Sequence, residues 1–295
     1  MLKVLTSHRR AVLQALLVTF LWSTSWVLIK FGLVNIPALT FAGLRYSLAF
    51  VCLLPFVLRP SQMTCLRRLG RGDWARLVTL GLLFYAVTQG AQFVGLAYLP
   101  AITVNLLLSF TIVLVTLLGM IVLAERPTSL QWVGVGLYLV GVILYFYPVS
   151  FPASRLFGLG VVMVGVIANA LSAILGRYVN RSGDTPPLVI TVVSMGIGAA
   201  VLLVSSSFDQ GFPQLNWLNW VIIGWLAVVN TAFAFTMWNH TLRVLSALES
   251  SLINNTMMIQ IPLLAVLFLG EQLTWHEGAG MAVAAIGILM VQLRR

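Results

Sequence analysis

The chain has 295 residues, 60% of them hydrophobic and only 8% charged, with a formal net charge of +10. A soluble domain carries about 25% charged residues, so this composition excludes a water-facing globular surface and predicts an all-α polytopic membrane protein. Its cations sit in short loops beside apolar runs, which excludes nucleic acid as the reason for the positive charge.

A membrane span needs roughly 20 apolar residues, and ten segments qualify: 11–30, 38–58, 74–97, 101–123, 130–147, 156–178, 187–206, 218–241, 247–269 and 275–293. The first resembles a signal peptide, with Lys3, Arg9 and Arg10 ahead of an apolar run from Ala11. No small-residue cleavage site follows, and Trp22 and Trp26 extend the run, so an uncleaved first span is expected. Pro37, Pro100 and Pro186 fall where first helical turns should begin, because proline's missing N–H costs nothing there. Asp73 and Thr185 are candidate N-caps. Cys52 and Cys65 form no disulfide framework and no metal pattern.

With the N-terminus inside, fourteen of the seventeen cations collect on the cytoplasmic side, from Lys3 through the Arg67–Arg71 loop to Arg295. Lys30 and Arg155 remain outside, and Arg45 lies within the second span. The positive-inside rule then places both termini in the cytoplasm. Fifteen arginines against two lysines point to a GC-rich bacterial genome, hence to a bacterial inner membrane.

The stretch 95–144 is repeated at 241–290, at a fixed offset of 146 residues with no gap. Glu125 falls on Glu271, Thr128 on Thr274, Gly134 on Gly280 and Gly141 on Gly287. A long period means two copies of one structural unit, here residues 1–149 and 150–295. Each copy holds five expected spans, an odd number, so the copies should lie upside down relative to each other. Inverted repeats around a midplane site are an architecture of secondary transporters.

Two five-span copies, each with a Glu-centred loop before its last helix (Ala124-Glu125-Arg126-Pro127-Thr128 and Gly270-Glu271-Gln272-Leu273-Thr274), resemble the EamA-type families of the drug/metabolite transporter superfamily. Leu21-Trp22-Ser23-Thr24-Ser25-Trp26 and Gly43-Leu44-Arg45-Tyr46 resemble that family's repeat start. The resemblance covers essentially the whole chain. It implies ten helices and export or facilitated diffusion of small metabolites, amino acids prominent among them, and carries no motif that fixes the substrate.

Structural roles are assigned first. Thr128-Ser-Leu-Gln131, Thr274-Trp-His-Glu277 and Ser246-Ala-Leu-Glu249 fit the capping box, which satisfies orphan N–H groups that in lipid have no water to turn to. Glu125 and Glu271 precede helix N-termini, where an anion is favoured, and read as structural. Gly134/Gly141 and Gly280/Gly287 are seven apart, on one helix face, and read as close packing between spans.

The candidate solute contacts are Trp22, Ser25 and Trp26 of span one, Arg45 of span two, and Tyr85, Gln89 and Gln92 of span three. Spans six, eight and nine add Asn169; Asn230 and Trp238; and Asn254 and Gln260. An unpaired amide in hydrocarbon costs several kcal/mol, so each faces either a partner helix or a wet cavity. Arg45 is either a functional charge, a snorkelling one, or the ion-pair partner of Glu271. His8, His240 and His276 lie at different depths with no metal spacing. No phosphate loop or enzyme constellation appears, and no cofactor is implied. The expectation is a non-enzymatic transporter of a small polar solute, an amino acid first, working by alternating access in the lipid bilayer. A nucleotide-sugar or sugar-phosphate carrier is the alternative, and a membrane-embedded lipid-modifying enzyme a more distant one.

Overall fold

The computed structural model describes residues 2–123, 128–147, 153–181, 185–209, 213–241, 244–245 and 253–292. Every regular element among them is helical. Among the described residues seven helices are long and apolar enough to cross a bilayer: His8–Gly32, Ala38–Val57, Arg71–Tyr98, Ser129–Phe146, Arg155–Gly176, Pro187–Ser207 and Trp217–Trp238. Shorter apolar helices cover Ala101–Val115, Ile253–Leu269 and Trp275–Val291.

Three features depart from the hydropathy reading. The segment 101–123 is two helices, Ala101–Ser109 and Thr111–Leu123, separated by a turn at Phe110. A nine-residue helix, Pro60–Arg68, occupies what read as a loop. The third and eighth segments change winding part-way: Gly81–Thr88 and Val228–Phe233 are π-helical inside otherwise α-helical runs.

Caps follow local chemistry. Thr128 Oγ1 accepts the Gln131 N–H at 3.3 Å and Gln131 Oε1 accepts the Thr128 N–H at 2.9 Å, a complete capping box. Glu277 Oε2 accepts from both the N–H and the hydroxyl of Thr274, at 2.8 and 2.6 Å. Asp73 is not itself the N-cap. It lies three residues inside its helix and accepts the N–H of the N-cap residue Gly70 at 3.1 Å. Glu125, Ser246 and Glu249 lie outside the described residues.

The chain divides into two compact units, each drawing on both sequence halves. One comprises Met1–Val27, Leu99–Phe157 and Phe233–Arg295, the other Leu28–Tyr98 and Gly158–Ala232.

In the first unit the helices Ser129–Phe146 and Trp275–Gln292 pack along a glycine seam. A Cβ on Gly134 would lie 2.7 Å from the carbonyl oxygen of Gly287, and one on Gly287 would lie 2.6 Å from that of Gly134. Gly141 and Gly280 face each other in the same way, at 2.6 and 2.7 Å. Seven residues forward on one helix is seven back on the other, so the pair is antiparallel. Backbone meets backbone here, and no side chain can yield. Gly280→Leu is therefore expected to cost more than the roughly 1–3 kcal/mol of ordinary overpacking, read as a lowered melting temperature in detergent.

The same unit holds Glu271, whose carboxylate accepts the N–H groups of Ala101 at 2.6 Å and Ile102 at 3.1 Å. It closes the N-terminus of the helix Ala101–Ser109, which follows Pro100 and lies in the first half of the sequence. The carboxylate thus serves a distant helix rather than the one that follows it in sequence.

In the second unit the helix Pro187–Asp209 packs on Ala38–Val57 and on the π segment Gly81–Thr88. Small residues again set the approach: a Cβ on Gly198 would lie 2.7 Å from the carbonyl oxygen of Gly81.

Candidate functional site

The second unit holds the one charged side chain that is buried among the described residues. Arg45 is 4% exposed, on the helix Ala38–Val57. Its Nε donates to Thr231 Oγ1 at 3.1 Å, and its Cζ lies 5.3 Å from the Tyr46 ring centre and 5.9 Å from that of Phe93. Among the described residues no carboxylate pairs with it; the ion pair there joins Arg76 to Asp73 at 3.4 Å. Of the alternatives posed by sequence, the pairing with Glu271 is not the one formed: Arg45 has Thr231 and Glu271 has two backbone amides.

The two π segments explain how Arg45 is held. A π turn leaves carbonyls poorly matched to the i−4 register, and such turns cluster at functional sites. Here threonine hydroxyls reach back five residues, Thr88 to the Leu83 carbonyl and Thr231 to the Leu226 carbonyl, both at 2.8 Å. Donating its proton to Leu226 leaves the Thr231 oxygen free to accept from Arg45. The adjacent Tyr46 donates to Gln89 Oε1 at 2.7 Å and sits edge-on to Tyr85, with ring centres 5.5 Å apart. Tyr85 lies in the first π segment and Gln89 just after it; Asn230 and Thr231 lie in the second. Gly81 and Val228 start the two segments 147 residues apart, close to the repeat offset. The Arg45-Tyr46 pair therefore bonds to residues in or next to both π segments.

The planar guanidinium, with Nε engaged, retains two terminal amino groups, a fork suited to a carboxylate. Of the other candidates in this unit, Tyr85 and Asn230 are buried, at 4% and 0% exposure. Gln89, Gln92 and Asn169 are half-buried.

In the first unit Trp22, Phe235 and Trp238 form an aromatic group, with Trp22 centred 5.2 Å from Phe235 and 5.3 Å from Trp238. Trp26 is buried. The hydroxyl of Ser25 is spent on the Trp22 carbonyl of its own helix, at 2.5 Å. Gln260 has its amide engaged at both ends: Oε1 with Ser23 Oγ at 2.9 Å and Nε2 with Thr256 Oγ1 at 2.9 Å. That is the helix-to-helix bonding posed as the other reading of these amides. Asn254 is exposed, while its neighbour Asn255 has a buried Nδ2 with no partner among the described residues.

Sequence reasoning left Tyr46, Thr231 and Phe235 off the contact set. Tyr46 and Thr231 flank chosen residues, and Phe235 stands three before Trp238 on the same helix face. Among the described residues no group of His, Cys, Asp and Glu could hold a metal ion.

The model of the EamA-like transporter family matches twice, over residues 9–147 and 156–293. The uncharacterized transporter YvbV of Bacillus subtilis (strain 168) is 26% identical, across 99% of this chain and 94% of its own length. A probable amino-acid metabolite efflux pump of Escherichia coli (strain K12) is 25% identical, across 95% and 94%. A protein of known crystal structure superposes with a TM-score of 0.66 over 97% of this chain and 96% of its own, at 16% identity, which supports the fold alone. Matched over nearly its whole length, and carrying the paired Glu loops of the two copies, the chain belongs to the EamA-like transporter family.

Proposed function

We propose that this protein moves small carboxylate-bearing metabolites, amino acids first, across a bacterial inner membrane. The observation that carries the reading is Arg45: a guanidinium buried in a span, held at Nε by a π turn, with no acid beside it among the described residues. Keeping an ion in hydrocarbon is costly, ~3 kcal/mol or more at a span centre. A solute carboxylate arriving by way of water would neutralise it. The name of the Escherichia coli relative, a probable amino-acid metabolite efflux pump, supports the same class.

Transport proceeds by alternating access around a midplane cavity, through ten spans in two inverted five-helix repeats, residues 1–149 and 150–295, with both termini cytoplasmic. The antiparallel pairing of Ser129–Phe146 with Trp275–Gln292, which are repeat equivalents, supports the inversion. Tyr46, Tyr85, Gln89 and Asn230 are the polar and aromatic surroundings of Arg45. Trp22 and Trp238 form an aromatic surface for an apolar side chain or an amine. Glu271 is occupied in capping, so a uniporter-like facilitator is favoured over a strict proton antiporter.

Uptake into proteoliposomes from a panel of amino acids, UDP-sugars and cationic dyes tests the reading. Uptake of amino acids is expected, and uptake confined to UDP-sugars would contradict it. Gln89→Ala should raise the apparent KM and, by stripping the Tyr46 hydroxyl of its acceptor, lower stability by about 1–3 kcal/mol. Trp22→Ala should raise KM with the melting temperature nearly unchanged.

A further inference from the structure

We infer that the helix Pro60–Arg68 and the pocket beside it form a binding site for the headgroup of an anionic phospholipid. This helix is nine residues long, too short to span, and none of its residues is buried. It lies between the end of Ala38–Val57 and the start of Arg71–Tyr98, two helices of spanning length. Its depth is therefore that of a membrane–water boundary, where lipid phosphodiesters lie. Trp74, 42% exposed at the beginning of the next helix, suits the same level.

The charge is lopsided. Residues 59–76 contain Arg59, Arg67, Arg68, Arg71 and Arg76 against the single acid Asp73. The Asp73 carboxylate is already engaged by the Gly70 N–H at 3.1 Å and by Arg76 at 3.4 Å. Arg67, Arg68 and Arg71 have no acid partner among the described residues; Asp184, beside Thr185 in sequence, lies outside them. Between the short helix and the start of Pro187–Asp209 is a cavity of about 440 Å³, lined by Ser61, Thr64, Arg68, Asp73 and Thr185 among others. A planar guanidinium reads a phosphate as a fork, and the hydroxyls supply further hydrogen bonds to its oxygens. Basic clusters next to a span recognise anionic lipid in this way, and the volume is that of a small-ligand pocket. Arg68 and the hydroxyls take the phosphodiester in the pocket, while Arg67 and Arg71 face the surrounding lipid surface.

The test uses the full-length protein, delipidated in a zwitterionic detergent and read by native mass spectrometry. Phosphatidylglycerol, phosphatidylcholine or inorganic phosphate is added at equal concentration. Wild type should retain phosphatidylglycerol several-fold over phosphatidylcholine and show no saturable binding of inorganic phosphate. The Arg67→Gln/Arg68→Gln and Ser61→Ala/Thr64→Val pairs should each lose most of that retention, while Arg9→Gln/Arg10→Gln, an equal loss of charge elsewhere, should keep it. The hydroxyl pair changes no charge, so it decides the matter even where an arginine variant does not fold. Equal retention of the two lipids, unchanged retention in the Ser61→Ala/Thr64→Val pair, or inorganic phosphate bound as well as lipid would each overturn the proposal.

Discussion

Arg45→Gln is expected to abolish measurable uptake of a carboxylate-bearing solute while leaving the folded protein as stable as before, or more so. Removing one member of a buried charge pair costs about 2–5 kcal/mol, roughly thirtyfold to several thousandfold in affinity at ~1.4 kcal/mol per decade. Stability should move the other way. A guanidinium with no acid partner among the described residues costs desolvation energy, and replacing buried ions by neutral groups is often neutral or stabilising. The lost Thr231 bond and ring contacts offset part of that gain, at about 1 kcal/mol for such a bond. Arg45→Lys should recover only part of the uptake, because an ammonium keeps the charge but cannot donate as a fork while also bonding Thr231. Uptake assays beside melting curves separate the roles. Were Arg45 a structural element, the Gln variant would lose stability and uptake together.

Changing Glu271 should produce the opposite pattern, a loss of stability with transport retained. Its carboxylate accepts the N–H groups of Ala101 and Ile102, in a helix start where Pro100 has no N–H to give. Glu271→Ala leaves both donors orphaned in a membrane protein's interior, at ~1–3 kcal/mol each. Glu271→Gln keeps one acceptor oxygen and forfeits the charge that favours a helix N-terminus, a further cost of about 0.3–2 kcal/mol. The melting temperature should fall in both, further for Ala than for Gln, and Glu271→Gln should transport with unaltered pH dependence. A well-folded Glu271→Gln protein that had lost only pH-dependent transport would make this residue a proton carrier instead.

The two residues also mark what the sequence could and could not say. Glu271 was legible as a helix-terminus anion because its neighbours have cap chemistry. The helix it closes was not, since Ala101 lies 170 residues away and only the tertiary fold brings it there. The glycines were legible for a similar reason: residues seven apart share a helix face, and two small residues per copy mark a close approach. Their partners proved to be each other, so one helix pair uses all four.

Hydropathy found the long apolar helices because it measures composition over about twenty residues. It is blind to hydrogen-bond register, so it missed the π segments and the turn at Phe110, where the chain stays apolar while the winding changes. Its second span ends at 58 and its third begins at 74, which leaves Pro60 and Gly70 in a connection. Both are helix starts: Pro60 is the first residue of the short helix and Gly70 the N-cap of the next. For buried amides, composition cannot separate interhelical bonding from a wetted surface. Gln260 is bonded at both ends to residues of other turns and helices, whereas Gln89 accepts from Tyr46 beside Arg45.

Carriage of a carboxylate-bearing solute is tested most directly by counterflow. Proteoliposomes loaded with an unlabelled amino acid are diluted into its labelled form, and the same is done with the corresponding amine lacking the carboxylate. The account predicts transient accumulation of labelled amino acid above its equilibrium level, none for the amine, and none for either in Arg45→Gln. Equal counterflow of amine and amino acid, or amino-acid counterflow undiminished in Arg45→Gln, would contradict it.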